Sequence, residues 1–181
     1  EHRGDVVAKS VADRVVAVFG LEAREYPDTK IEYIKYKIDS GNLVKSNELS
    51  AVNLIQVNYN RSDIDKIPVD FPVFQEPKTW VLTSNDSAVA ANVDLTLIQE
   101  YKFSTYPLKG IAKAFDELKA GKASYNMKFE GQTFDIRDVR LGYLDTVAKQ
   151  KYLQPVYVFM GNSGLKAYVR AVADSYVEAG K

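Results

Sequence analysis

The chain has 181 residues, with 24 Lys plus Arg balanced by 24 Asp plus Glu, and it contains no cysteine. That length holds one good-sized domain or two small ones, and an apolar fraction of 46% builds a core without covalent staples. The neutral balance argues against a general nucleic-acid binder, which carries a basic excess, and the missing thiols exclude disulfides, thiol catalysis and thiolate metal sites.

Residues Asp5 to Phe19 place Val7, Val11, Val15 and Val18 near helical spacing, with Lys9, Asp13 and Arg14 between them. This predicts an amphipathic helix ending at Gly20, held by packing because valine is a weak helix former. A membrane-surface helix would want Trp or Leu on one face and many basic residues on the other, which this stretch lacks.

Tyr26-Pro27-Asp28 marks a turn, and IEYIKYKID from Ile31 alternates as a strand does. Ile31, Tyr33 and Lys35 share one face; Ile34, Tyr36 and Ile38 share the other. Ser40-Gly41-Asn42 is a hairpin break. In AVNLIQVNYNR, Val52, Leu54 (or Ile55), Val57 and Tyr59 form another strand. Residues 60–68 are polar and irregular, and the two prolines of IPVDFPVF suit an edge or extended segment. Gln75 to Lys78 is the most linker-like run. TWVLTS reads as a strand around Trp80, a core or boundary residue. Residues 85–92 read as a loop or a short helical turn around AVAA, and residues 93–103 as a long strand.

The stretch from Pro107 onward is the most ordered in pattern. Ile111, Ala114, Phe115 and Leu118 stand at i, i+3, i+4 and i+7, with Gly110 at the N-cap and Gly121 placed for a left-handed C-cap. Residues 123–136 predict a hairpin turning at Glu130-Gly131-Gln132. VRLGYLDT, YLQPVYVFMGN and LKAYVRAVAD then predict a three-stranded meander with turns at 147–151 and at Asn162-Ser163-Gly164. The fold class expected is α+β: two similar units, each an antiparallel sheet with one amphipathic helix on a face. The division is expected between residues 1–76 and 77–181, with the second helix at about 110–120.

Chemistry is sparsely marked. His2 is the single histidine and sits at the terminus, so a Ser-His-Asp triad or a His-based metal site lacks its raw material. GNSG at 161–164 lacks the Lys-Ser/Thr of a phosphate loop. Asp135 and Asp138 fall on opposite strand faces, which suits neither glycosidase geometry, and Asp63 and Asp65 lack a calcium-loop pattern. No catalytic residue, cofactor or metal is therefore expected. The 12 tyrosines are the richer signal, since tyrosine offers contact area with a polar tip. An aromatic sheet face is the expected binding surface, with Arg140, Tyr143, Gln154 and Tyr157 as its partner-binding residues.

Across residues 80–174, Tyr106-Pro107 before the helix, Lys119-Ala120-Gly121 at its end, and Tyr152-Leu153-x-Pro155-Val156 resemble bacterial cell-envelope proteins of PepSY-like fold. YycH/YycI-type ectodomains, regulators of a cell-wall sensor kinase, are the nearest such pattern. The resemblance carries no catalytic motif. It implies an extracytoplasmic, membrane-tethered domain that binds or regulates an envelope protein or peptide partner, with no nucleic acid and with membrane contact only through an N-terminal anchor. The start at Glu1 fits a processed or truncated form. The competing expectations are a peptidase-inhibitor or chaperone-like module, or an unrecognised Asp/Glu hydrolase.

Overall fold

The structure is a computed structural model that describes residues 3–20, 31–72, 77–94, 103–128, 133–146, 148 and 150–177. It is α+β, as the patterning predicts, with two five-stranded sheets and two α-helices among the described residues. The chain forms two compact units: residues 1–62 with 77–96, and residues 63–76 with 97–181. It passes between them after residues 62, 76 and 96, so the division expected at 76/77 is one of three.

The first unit holds helix α1 (Arg3–Val18) and strands β1 (Ile31–Asp39), β2 (Asn42–Lys45), β3 (Leu54–Tyr59), β5 (Thr79–Ser84) and β6 (Ser87–Asn92), in the antiparallel order β2-β1-β3-β5-β6. Ser40 and Gly41 both take positive φ, the geometry of a two-residue hairpin turn that matches strand twist. The core joins Ala8, Ala12 and Val16 to Val57, Tyr59 and Val81, with Ile31, Tyr33 and Ile55 packed against it. Ile55 is thus the inward alternative in β3. The buried stripe of α1 is Asp5, Ala8, Val11, Ala12 and Val16, whereas Val7 and Val18 are exposed. This corrects the expected valine face: the small alanines let the helix approach the sheet closely. The Asp5 carboxylate lies 3.0 Å from Lys35 Nζ, pinning the first turn to β1. Residues 87–92 are an exposed edge strand rather than a loop, because the turn at Asn85-Asp86 folds them onto β5 and ladder pairing overrides the weak strand preference of alanine.

The second unit holds β4 (Val69–Asp70), α2 (Ile111–Lys119), β7 (Ser124–Tyr125), β8 (Ile136–Leu144), β9 (Gln154–Gly161) and β10 (Lys166–Arg170), in the order β4-β8-β9-β10-β7. The edge position expected for the proline-flanked segment is where β4 lies, parallel to the end of β8. Helix α2 closes with a Schellman motif: Lys122 N–H donates to the Glu117 carbonyl and Gly121 N–H to that of Leu118, with Gly121 at φ 73°. Both flanks of the helix are stitched to β10 or the residues just after it. Lys109 N–H donates to the Ala171 carbonyl, and Tyr125 pairs with Ala167. β7 therefore lies beyond β10 and away from β8, so the described ends of the hairpin expected over 123–136 do not pair. Its turn at 130–132 lies outside the described residues, as does most of the strand expected over 93–103.

Candidate functional site

Register in β8 and β9 fixes which side chains share a face, because directly opposed residues point the same way. Arg140 opposes Val158 and Leu144 opposes Gln154, while Leu141 opposes Tyr157 and Tyr143 opposes Pro155. Arg140 and Gln154 therefore stand on one face of the second sheet, and Tyr143 and Tyr157 on the other. The four residues do not form one patch.

The face bearing Tyr157 is the one α2 covers. Ala114, Leu118, Phe159, Ala167 and Val169 form its buried core, with Tyr125, Phe134, Ile136, Val139 and Tyr157 packed against it. The Tyr157 hydroxyl donates to the Lys109 carbonyl at 2.7 Å, so it fastens the start of α2 rather than facing an open surface. Lys109 itself is buried. Its ammonium binds both Glu117 oxygens at 2.8 and 2.9 Å and Asp174 at 2.9 Å. Burial lowers the Lys109 pKa, but the bonds to Glu117 and Asp174 outweigh it and the net shift is upward. Lys113 and Lys109 together hold the Asp174 carboxyl down to about 2.

Helix α2 leaves the β8 side of this face open. Ile111 is 48% exposed and Phe115 41%, although both lie on the apolar face predicted from sequence. A groove of about 610 Å³ runs past Phe115, Leu118, Tyr125, Phe134 and Ile136, with the exposed Lys119, Asp135 and Arg137 at its lip. It continues into a hollow of about 400 Å³ over Ile111, Phe115, Ile136, Val139 and Phe159. Phe134 is held against Gly161, where a side chain would overlap its ring.

The opposite face carries a charged cluster that Arg140 joins. The carboxylate of Asp70, only 5% exposed, takes Arg140 Nη2 on one oxygen and Lys166 Nζ on the other, each at 2.6 Å. β4 and β10 are three strand spacings apart, about 14 Å on a flat sheet, so this bond requires the sheet to curl toward the cluster. Tyr168 is buried on the same face, and burial first, then the charge of Asp70, raise its pKa, with Arg140 opposing. Gly142 makes room: a Cβ there would meet Val158 Cγ2 at 3.0 Å and both Arg140 Nη1 and Asp70 Oδ2 at 3.2 Å. Sequence reasoning named Arg140 as a partner-binding residue of an aromatic face, not as part of an ion-pair cluster, and did not name Asp70 or Lys166. The available signal was an Asp between apolar residues in a strand, a buried charge that must find a cation.

Among the described residues no helix is long and apolar enough to cross a membrane. Comparisons with protein-family models, curated proteins and solved structures find no match to this chain.

Proposed function

We propose that this chain is a non-enzymatic, extracytoplasmic binding or regulatory domain of a bacterial envelope protein, and that its binding surface is the groove between α2 and the β8 side of the second sheet. The observation carrying this reading is the half-exposed apolar flank of α2, Ile111 and Phe115, standing over Ile136, Val139 and Phe159. A helix packed for stability alone would bury those side chains, since full burial of each is worth about 1.5–3 kcal/mol. An exposed apolar groove with a polar lip is the usual form of a ligand or partner surface. The envelope location rests on the resemblance of residues 80–174, including Tyr106-Pro107 and Lys119-Ala120-Gly121, to PepSY-like and YycH/YycI-type ectodomains. Two measurements test the reading. The apolar dye N-phenylnaphthylamine is expected to brighten on binding the chain and to lose that signal in Phe115→Ser. Alkaline phosphatase, which works only outside the cytoplasm, is expected to be active when fused to the natural full-length protein. An unchanged dye signal or an inactive fusion overturns the corresponding half.

A further inference from the structure

We infer that the open edge of β8 receives an extended peptide from a partner protein, added as a strand beside β4 with its apolar side chains in the groove under α2. This deepens the binding-domain reading above and rests on it.

The edge comes first. β9 pairs with β8 along its whole length, but β4 covers the other side only at Tyr143 and Leu144. There Tyr143 and Asp145 donate their N–H groups to the Pro68 and Asp70 carbonyls, both at 2.8 Å. Strand alternation aims the N–H groups of Leu141 and Val139 out of the same edge. Among the described residues no strand meets them; the Val139 N–H is capped by the Asp138 carboxylate of its own strand at 2.7 Å. The tight turn at Ile64–Ile67 takes the chain upstream of β4 out of line with the rest of β8, so the ladder stops although its template continues. Among the described residues, about five residues of this edge, some 16 Å, have no strand beside them.

The groove supplies the second observation. Ile136 and Val139, next to that edge, are the floor residues left uncovered by α2. A strand hydrogen-bonded to β8 would continue the sheet under Ile111 and Phe115 and lay alternate side chains against Val139. Main-chain bonds would supply affinity and the pocket would select apolar residues at every second position, the strand-addition mode of peptide recognition.

Continuity with β4 favours a foreign strand over a second copy. β8 is bulged between Ile136 and Asp138, and a second β8 would bring its own bulge and Asp138 carboxylate to the ladder. The edges of β2 and β6 are exposed too, but the residues lining the groove all belong to the second unit.

Hydrogen exchange read by NMR on the whole chain tests this. The probe is an end-capped synthetic peptide alternating valine and threonine with lysine at both ends; its twin is methylated on the threonine backbone nitrogens. In the free chain the Leu141 amide is expected to exchange much faster than Val158. The probe should slow Leu141 by at least about tenfold and bind at least about tenfold better than its twin. Phe115→Lys, an exposed substitution, should weaken the probe by a similar factor. Four results overturn the inference: a Leu141 amide already slow in the free chain, no probe binding in the millimolar range, equal binding of the twin, or a concentration-dependent dimer that hides Leu141 without peptide. If the apolar dye binds and the peptide does not, strand addition fails while the binding-domain reading stands.

Discussion

Replacing Asp70 by Asn is the sharpest test of how the second sheet is held. The carboxylate is 5% exposed and accepts charge-assisted bonds of 2.6 Å from Arg140 and Lys166. Hydrogen bonds to charged groups contribute about 1.5–3 kcal/mol each. Both cations keep roughly a third of their side-chain surface in water, 28% and 32%, so each can recover hydration when its partner is lost. Discounting for that exposure by about half leaves a cost of about 1.5–3 kcal/mol. In a unit of this size, 1 kcal/mol corresponds to about 4–8 °C, so the transition should fall by roughly 6–24 °C. Trp80, the single tryptophan, lies in β5 of the first unit, so the assay must read the second unit directly. Amide exchange at Val158 and Tyr168 does so, alongside urea unfolding. A double-mutant cycle with Arg140→Met should show coupling above about 0.5 kcal/mol. Asp70→Asn within about 0.5 kcal/mol of the parent, or fully additive losses, would refute the view that a desolvated carboxylate ties β4 to β8 and β10.

Gly161→Ala puts a methyl group into the Phe134 ring and should cost about 1–3 kcal/mol by urea unfolding, with an altered dye response in the groove; an unchanged midpoint contradicts the packing described. Gly121→Ala forces a side chain into φ 73° at the C-cap of α2 and should cost about 1 kcal/mol by the same measure. Lys109→Met leaves Glu117 without the cation that both its oxygens bind and should destabilise by about 1–3 kcal/mol, seen as faster exchange at the Ala114 and Leu118 amides. The pH dependence follows from Asp174. Its folded pKa lies below the ordinary carboxylate value, so its contribution is present above pH 4 and is lost as pH falls toward about 2. Asp174→Asn should flatten that part of the acid unfolding curve, and an unchanged acid limb counts against the ion pairs.

Local signals were legible where one residue type decides the geometry. Gly121 stops α2, Ser40-Gly41 turns the first hairpin, and Pro68 and Pro72 flank an edge strand. Faces were legible where alternation was clean, as in Ile31, Tyr33 and Lys35. They were misread in α1, because apolarity marks Val7 and Val18 as strongly as Val16, and only the sheet's need for close approach selects Ala8 and Ala12. Residues 87–92 were missed because an exposed edge strand takes its structure from its neighbour. The site was legible in fragments. Arg140 was singled out as a partner-binding residue, and its ion-pair partner Asp70 is 70 positions earlier. No spacing rule reaches that far. Grouping Arg140 with Tyr143, and Gln154 with Tyr157, overlooked alternation, which sets residues three apart on opposite faces of a strand; which residues of β8 and β9 then share a face depends on register, which the turn between them sets.

The shared carboxylate also bears on the order in which the protein is made. Asp70 emerges from the ribosome 96 residues ahead of Lys166, and between them lies a hairpin that belongs to the first unit. At about 5–20 residues per second, β4 waits roughly 5–20 s for the strand that completes its clamp. Once residue 92 has emerged the first sheet has all five strands available, while Val69 and Asp70 still wait for their partners Tyr143 and Leu144 in β8, made 74 residues after them. The first unit can therefore close around a loop that is still unclaimed, and the second is finished by retrieving a segment synthesised before its neighbour's last hairpin.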